Sequence, residues 1–215
     1  MIDVYASERL KMVAEQLVPR GITDSRVIAA MSKVPRHCFI RADLRSQSYE
    51  DQPLPIGNDQ TVSQPYMVAL MAEVLELKGP ERVLEIGTGS GYAAAVFAEL
   101  CHELFSIERI EELAIKARLA LTAVGYHNVR IHTGDGTLGW AEEGPFDAIV
   151  ISAGAPQIPR PLLDQIKPGG SLVFPMGEEE LQTLVRLRKT PQGLKEEYFG
   201  ECRFVKLRGE YGWEE

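Results

Sequence analysis

The stretch that decides the fold is Arg82-Val83-Leu84-Glu85-Ile86-Gly87-Thr88-Gly89-Ser90-Gly91-Tyr92. Its apolar run predicts a short buried strand, and the alanine-rich residues that follow it predict a helix. Glycines between a strand and a helix let the backbone approach a ligand closely, and the first amides of a helix favour negative groups. The stretch therefore predicts a ligand-binding turn, although a tight turn without a ligand would use the same residues.

Downstream of this turn, apolar runs and helical patterns alternate. Strands are predicted at 82–86, 103–107, 129–133, 146–152 and 171–174, and helices at 92–100, 110–124 and 162–166. This alternation is typical of an α/β protein with a doubly wound, mostly parallel sheet. Two further strand-like runs, 181–188 and 201–207, flank Gly193 and predict an antiparallel edge.

Upstream of the turn, helices are predicted at 4–17, after a cap at Asp24, and at 65–77. Segment 46–63 shows little helical periodicity, and a long loop in a compact domain is usually functional or disordered. We expect one domain over 1–215. Within it, 1–80 carry the helices and the loop, 81–177 form the core, and 178–215 form the antiparallel edge and tail.

Composition narrows the function classes. The chain has 215 residues, with 23 Lys and Arg against 31 Asp and Glu, so its net charge is −8. This balance argues against partners with phosphate backbones or anionic membranes. Three widely spaced cysteines predict neither a disulfide framework nor a metal site. Residues 1–5 lack a signal-peptide pattern, and no apolar run is long enough to span a bilayer, so a cytoplasmic protein is expected.

Three acidic residues lie near the carboxyl ends of three successive predicted strands and indicate the ligand. Glu85 would face the phosphates of a dinucleotide unfavourably, but it suits the amino group of a zwitterionic ligand. The glycine spacing also differs from the dinucleotide pattern G-x-G-x-x-G, which leaves a dehydrogenase as the weaker alternative. Glu108 either accepts from ribose hydroxyls or caps a helix, and Asp135 either accepts from an adenine amino group or forms a turn.

The glycine-rich stretch resembles the first motif of class I S-adenosylmethionine-dependent methyltransferases. Residues 55–67 read Pro-Ile-Gly-Asn-Asp-Gln-Thr-Val-Ser-Gln-Pro-Tyr-Met. They resemble the loop P-I-G-x-G-Q-T-I-S-x-P-x-M of the protein-L-isoaspartate O-methyltransferase family. Further matching stretches lie at 34–36, 106–110, 134–136, 145–149, 168–170 and 175–177.

The resemblance implies a Rossmann-like fold with an N-terminal helical addition. It also implies an activity, the methylation of the free α-carboxylate of L-isoaspartyl residues in damaged proteins and peptides. The cofactor would be S-adenosyl-L-methionine and its product S-adenosyl-L-homocysteine. The ester then closes to a succinimide, which reopens partly to normal aspartate. We expect the protein to act as a monomer.

The same resemblance implies the site residues. It gives the catalytic role to Ser63, whose alternative role is the N-cap of the helix that starts at Pro65. The cofactor-binding set is Thr61, Val62, Ser63, Glu85, Gly87, Thr88, Gly89, Gly91, Glu108, Arg109, Asp135 and Gly136. The substrate-binding set is Ser63, Gln64, Met67, Val205 and Lys206.

Two departures from the family pattern leave the acceptor open. Asp59 stands where the family has a glycine, and Lys206 stands where it has a proline. Lys206 and Arg208 either supply positive charge to a substrate carboxylate or lie on a solvated edge strand. The alternatives are therefore a methyltransferase for another carboxylate, such as an aspartyl side chain of a peptide natural product, and a non-catalytic binding module.

Overall fold

The computed structural model describes residues 3–214, so Met1 and Ile2 of the N-terminal stretch and Glu215 lie outside the described residues. The α-helices are α1 (Ala6–Met12), α2 (Ser25–Lys33), α3 (Pro65–Leu75), α4 (Tyr92–Ala98), α5 (Glu111–Ala123) and α6 (Arg160–Asp164). The strands are β1 (Leu54–Gly57), β2 (Gln60–Val62), β3 (Arg82–Ile86), β4 (Glu103–Glu108), β5 (Val129–Thr133), β6 (Phe146–Ile151), β7 (Ile166–Gly177), β8 (Gln182–Thr190) and β9 (Gly193–Cys202).

Seven strands form one sheet in the order β5-β4-β3-β6-β7-β8-β9. The strands from β5 to β7 pair in parallel, whereas β8 and β9 add antiparallel pairs at the edge. The strand order reverses between β3 and β6, and in open α/β sheets ligands bind outside the carboxyl ends of the strands at such a point. The predicted Rossmann-like fold with an antiparallel C-terminal edge is confirmed.

The central parallel strands β3, β4 and β6 are buried on both faces, whereas β5 at the edge is only partly buried. Val83 belongs to the apolar cluster on one face and Leu84 to the cluster on the other. Because side chains alternate across a strand, burial of both faces demands apolar residues at nearly every position. This explains why these strands are visible in the sequence as continuous apolar runs.

The N-terminal helices differ in part from the prediction. Val4 is 73% exposed, and α1 starts after it at Ala6. The helix continues as a π-helical turn, Val13–Leu17, and a short 3-10 turn, Val18–Arg20. No described helix is both long and apolar enough to cross a membrane.

The predicted capping of the second helix is confirmed. An Asp24 carboxylate oxygen accepts hydrogen bonds from the amides of Arg26 and Val27, at 2.8 Å and 3.4 Å. It thereby satisfies amide groups that have no partner within the first turn of α2.

Segment 46–63 ends in a hairpin of β1 and β2 rather than an irregular loop. Asn58 and Asp59 form its tip, with φ angles of 53° and 56°. Positive φ at both central residues is the signature of a two-residue hairpin turn. The position where the family has glycine therefore does require left-handed backbone, and Asp59 adopts it.

The prediction of a strand over 201–207 is wrong. Gly193, with a φ of 119°, turns the chain at once into β9, which ends at Cys202. The following residues leave the sheet edge and run beside Gly154, whose amide donates to the carbonyl of Val205 and whose carbonyl accepts from the amide of Leu207. Lys206 therefore lies over the carboxyl ends of the parallel strands and not on a solvated edge strand.

The predicted bounds of two neighbouring elements also shift. Ile166 does not end the short helix before the last parallel strand, because α6 stops at Asp164 and Ile166 opens β7. That strand continues to Gly177, beyond the predicted end at residue 174. Its extra length pairs with β8 through Gly177 and Gln182.

Candidate active site

A cleft of about 160 Å³ lies at the carboxyl ends of the parallel strands, where the strand order reverses. The residues that line it are Gln60, Thr61, Ile86, Gly87, Gly89, Ile107, Glu108, Arg109, Ile110, Gly136, Ser152, Ala153, Val205, Lys206, Leu207 and Arg208. They come from β2, from the ends of the central strands and from the C-terminal segment. Many of the residues predicted to bind the cofactor therefore meet in one place.

The three glycines of the turn after β3 all have positive φ, at 92°, 54° and 88°. Gly87 and Gly89 line the cleft. Gly91 permits close packing instead. It precedes α4, and a Cβ at this position would lie 3.3 Å from the Cβ of Ala117. Two of the glycines thus open the backbone to a ligand, and the third permits α4 to pack on α5.

Glu85 is fully buried below the glycine turn. Its Oε2 accepts a hydrogen bond of 2.6 Å from the hydroxyl of Ser106, which is itself 2.5 Å from the hydroxyl of Thr88. Its Oε1 has no partner in the described chain. Burial raises the pKa of Glu85 to about 8, the charge of Glu108 adds to the rise, and the Ser106 hydrogen bond opposes it.

Glu108 joins the glycine turn to the next helix. Its Oε2 accepts from the amide of Gly89 at 2.8 Å, and its Oε1 accepts from the amide of Ile110 at 2.9 Å. The carboxylate also lines the cleft. Each oxygen retains a second acceptor position, so the local cap and the predicted ribose contact are compatible on this one side chain.

Asp135 is engaged by other parts of the chain. Its Oδ1 accepts from the amide and the hydroxyl of Thr137, and its Oδ2 accepts from the amide of Glu210 at 2.8 Å. Gly136 lines the cleft, whereas Asp135 does not. The structure therefore shows Asp135 holding the C-terminal segment, and its contact with adenine stays a prediction.

A second, smaller cavity of about 30 Å³ adjoins the cleft. Its lining consists of Pro53, Thr61, Ser63, Gln64, Met67, Ser152, Arg203, Phe204 and Val205. Thr61, Ser152 and Val205 line both cavities. Four of the five residues predicted to bind the substrate are thus brought together beside the cleft.

Ser63 does not cap α3, so that alternative is wrong. The N-cap residue is Gln64, and no side chain caps from that position. Asp51 instead accepts a hydrogen bond of 2.9 Å from the amide of Tyr66 in the first turn. Within residues 3–214 the Ser63 hydroxyl makes no hydrogen bond, which leaves it available in the cavity. Val62, the remaining hairpin residue of the predicted cofactor set, is buried and lines neither cavity.

Arg36 holds the backbone of Ser63, and the sequence marks this residue only as part of the matching stretch 34–36. Its Nη1 donates to the carbonyl of Ser63 at 2.9 Å, and its Nε donates to the carbonyl of Ser48 at 2.8 Å. The guanidinium lies 4.7 Å from the ring centre of Tyr92 and is fully buried. Burial lowers the pKa of Arg36 to about 10, so it is charged at neutral pH.

Lys206 lies apart from the predicted substrate contacts. It pairs with Glu179 and lines the cleft rather than the cavity at Ser63. Arg208 also lines the cleft and donates to the carbonyl of Glu214 at 2.9 Å. The geometry therefore does not support contact between Lys206 and a substrate carboxylate. Arg109, another predicted cofactor residue, does line the cleft.

The acceptors in the cleft, together with Glu85, which is buried and does not itself line the cleft, fit a sulfonium nucleoside better than a metal. No group of three or more metal-ligating side chains occurs within the described part of the chain. The unpartnered Oε1 of Glu85 is a buried acceptor suited to an amino group, and Glu108 is an acceptor in the cleft suited to a hydroxyl. Apolar walls from Ile86 and Ile107 suit the flat face of a base.

Comparison with known proteins supports this fit. Residues 8–212 match the family described as protein-L-isoaspartate(D-aspartate) O-methyltransferase. The chain is 54% identical over 216 residues to the protein-L-isoaspartate O-methyltransferase of Syntrophus aciditrophicus, covering 99% of each chain. It is 56% identical over 215 residues to protein-L-isoaspartate O-methyltransferase 2 of Geotalea uraniireducens, covering 99% of this chain and 98% of that one.

Two solved structures share the architecture. One is a protein-L-isoaspartate O-methyltransferase with a TM-score of 0.84 and 28% identity, matched over 96% of this chain and 67% of the other. The second is a candidate protein-L-isoaspartate O-methyltransferase from Plasmodium falciparum, solved in complex with S-adenosyl-L-homocysteine. It has a TM-score of 0.81 and 25% identity, matched over 93% of this chain and 98% of the other.

Proposed function

The chain belongs to the protein-L-isoaspartate O-methyltransferase family, and from that premise we propose how its residues carry out the reaction. The protein methylates the α-carboxylate of L-isoaspartyl residues in damaged proteins and peptides, with S-adenosyl-L-methionine as donor and S-adenosyl-L-homocysteine as product. The observation that carries this conclusion is identity of 54–56% to named enzymes along nearly the whole chain. The same observation stands against a dehydrogenase, a non-catalytic module and a natural-product methyltransferase.

S-adenosylmethionine supplies an electrophilic methyl group on a positively charged sulfur. Glu85 would hold its amino group through Oε1, the acceptor that the protein leaves without a partner. Glu108, at the carboxyl end of β4, would accept hydrogen bonds from the ribose hydroxyls. Gly87 and Gly89 admit the ligand close to the backbone, and Gly136 forms part of the opposite wall.

The substrate carboxylate would enter the cavity at Ser63. A carboxylate has an ordinary pKa near 4, so it is already ionised at neutral pH and needs no general base. The Ser63 hydroxyl, with no partner among the described residues, would donate a hydrogen bond to one carboxylate oxygen. The other oxygen would then face the cleft across the shared wall of Thr61, Ser152 and Val205.

Positioning is the main catalytic contribution of this arrangement. In-line transfer requires the attacking oxygen, the methyl carbon and the sulfur to be aligned, and such alignment can supply about 7–11 kcal/mol of a barrier. Met67, Phe204 and Val205 supply the apolar part of the cavity lining. They would displace water from the carboxylate, whose charge decreases as the new bond forms.

The cellular setting is also proposed. Cys38, Cys101 and Cys202 are free thiols, and free thiols are typical of the reducing cytoplasm. The net charge of −8 favours isoaspartyl proteins and peptides as partners over nucleic acid or anionic membranes. We propose that the protein acts as a monomer, because one chain supplies both adjoining cavities.

A labelled-methyl assay tests the function and the role of Ser63 together. We expect the protein to label an isoaspartyl peptide and to leave the matching aspartyl peptide unlabelled. Replacing Ser63→Ala should lower kcat/KM about 10- to 100-fold, the usual effect of losing a hydrogen bond to a charged group. Affinity for S-adenosylhomocysteine should remain within a few-fold.

Ser46→Ala provides the matched control, because Ser46 is exposed and lines neither cavity. It should behave like the unchanged protein. Equal labelling of the isoaspartyl and aspartyl peptides would contradict the function, and full activity of Ser63→Ala would contradict the role of the hydroxyl.

A further inference from the structure

The cavity at Ser63 contains a single ionisable lining residue, and that residue is a cation. The lining is otherwise neutral, and Arg203 contributes the positive charge. The residue is exposed. Within the described chain its guanidinium forms no hydrogen bond, ion pair or ring contact. An open cation therefore stands beside the position proposed for an anionic substrate.

Two other basic side chains of the C-terminal part of the chain are already paired. Lys206 pairs with Glu179, and Arg186 pairs with both Glu76 and Glu197. These ion pairs compensate their charges within the protein. Arg203 is different, because nothing in residues 3–214 competes for its five donor positions.

The backbone that carries Arg203 is held on both sides. Cys202, the last residue of β9, is buried. The amide of Phe204 donates a hydrogen bond of 2.9 Å to Oε1 of Gln182, a side chain that is only 2% exposed. The guanidinium is thus presented to the cavity from a fixed base, so less ordering is needed when it meets a ligand.

We propose that Arg203 determines specificity by binding the α-carboxylate of the isoaspartyl residue as it enters the cavity at Ser63; this rests on the proposed function. The planar guanidinium matches a carboxylate with two parallel hydrogen bonds. An amide or an alkyl group in the same place could not form that pair.

The contact has a definite kinetic consequence. The carboxylate loses its negative charge while the methyl group is transferred, so its bond to a guanidinium is stronger before transfer than during it. An interaction of this kind lowers KM and does not raise kcat. Arg203 therefore acts on capture of the substrate, while Ser63 orients it.

The proposal also explains how a chain of net charge −8 captures an anion. Charge repulsion at long range is screened within about 8–10 Å at physiological salt. Inside that distance the substrate meets Arg203 at the cavity and the buried charge of Arg36 behind Ser63. Local charge thus opposes the overall charge at the point of entry.

The test compares two ligands on the unchanged protein and three variants. The ligands are an isoaspartyl peptide and the same peptide with its α-carboxylate replaced by a carboxamide, used as an uncharged competitor. In Arg203→Gln we expect KM for the isoaspartyl peptide to rise about tenfold or more, because a charge-assisted pair is lost. We expect kcat to stay within about twofold and the inhibition constant of the carboxamide to stay unchanged. Arg203→Lys should recover part of the lost affinity.

Arg45→Gln is the control for net charge, because Arg45 is exposed and lines neither cavity. It should leave KM unchanged. An unchanged KM in Arg203→Gln would overturn the proposal, as would a fall in kcat alone or an equal loss of affinity for both peptides. If the unchanged protein fails to methylate the isoaspartyl peptide, the proposed function is contradicted instead. Calorimetry with the two peptides still decides the role of Arg203 in that case.

Discussion

The Nη1 atom of Arg36 donates a hydrogen bond of 2.9 Å to the carbonyl oxygen of Ser63, so a fully buried cation holds the backbone of this serine. The same guanidinium donates to the carbonyl of Ser48. The loop that carries Ser63 is therefore fixed to the N-terminal helical addition. With Ser63 orienting the substrate as proposed, the helical addition would contribute to the geometry of methyl transfer, although it is far from the glycine turn in sequence.

Replacement Arg36→Lys tests this support. The shorter donor cannot reach both carbonyls, and unsatisfied buried groups cost about 1–3 kcal/mol each, so the free energy of unfolding should fall by about 2–4 kcal/mol. Activity should fall further than the loss of stability alone explains. The measurement is kcat at saturating peptide, at a temperature below the unfolding transition, where a decrease is expected.

Leu187→Ala serves as the stability-matched control for Arg36→Lys. Leu187 is fully buried in β8, away from the Ser63 cavity, and a leucine truncation costs about 2–5 kcal/mol. This control should keep kcat near its original value at the same temperature. Equal kcat in the two variants would show that Arg36 acts on stability alone.

The buried carboxyl of Glu85 predicts a pH-dependent stability. Because burial raises its pKa from 4.5 to about 8 in the folded protein, this group stabilises the fold fully below pH 4.5. That contribution is lost as the pH rises through 8. Glu85→Gln should remove this part of the slope between pH 5 and pH 8 in denaturant titrations of the cofactor-free protein. Identical slopes in the two proteins would contradict the assignment.

Cofactor affinity should also depend on the protonation of Glu85. It should increase as the pH rises, whereas the contribution of Glu85 to stability decreases. An amino group pairs with the ionised carboxylate, so binding of S-adenosylhomocysteine should release a proton and tighten as the pH rises from 6 to 8. Calorimetry in buffers of different ionisation enthalpy measures that proton. Glu85→Gln should bind more weakly and show neither effect.

The two backbone contacts of Glu108 and its proposed contact with ribose predict sensitivity to loss of its charge. Glu108→Gln retains a single acceptor oxygen for the amides of Gly89 and Ile110, so the glycine turn loses one of its ties. We expect affinity for S-adenosylhomocysteine to fall about 10- to 100-fold, as calorimetry would measure. Glu111→Gln, an exposed neighbour in the first turn of α5, should bind normally.

The hairpin tip predicts which substitutions Asp59 tolerates. Its φ of 56° is open to glycine and aspartate but strained for a β-branched residue. Asp59→Gly should keep kcat/KM and change stability by less than about 1 kcal/mol, since relief of strain offsets the added freedom of the unfolded chain. Asp59→Val should lower both the melting temperature and kcat/KM. Full activity of Asp59→Val would show that the conformation of the hairpin tip does not affect the position of Ser63.

The parallel core is the part of the fold that the sequence predicts best. The bounds of β3 and β5 are correct to the residue, because turns close both ends of each strand and β3 adds a largely buried apolar run. The C-terminal strand is misplaced because β9 is an exposed edge with mostly polar residues. An edge strand buries too little to leave an apolar pattern.

Residues that act through distant contacts are missed for a different reason. Arg36 meets Ser63 across 27 positions of sequence, and Arg203 reaches the same cavity from the far end of the chain. No periodicity or spacing marks such pairs. The hydrogen bond of Asp135 to the C-terminal segment is not predictable from the sequence for the same reason. An aspartate in a turn has the same sequence pattern whether or not it has a partner 75 positions away.

The C-terminal segment has a consequence for the order of events during synthesis. Asp135 and Thr137 hold the amides of Glu210 and Tyr211, and Leu207 and Arg208 form one wall of the cleft. A ribosome that has translated the glycine turn and all the parallel strands still carries a protein without this wall. The cleft is therefore complete only once residues 207–211 have been added to the chain, and the parallel strands alone do not provide it.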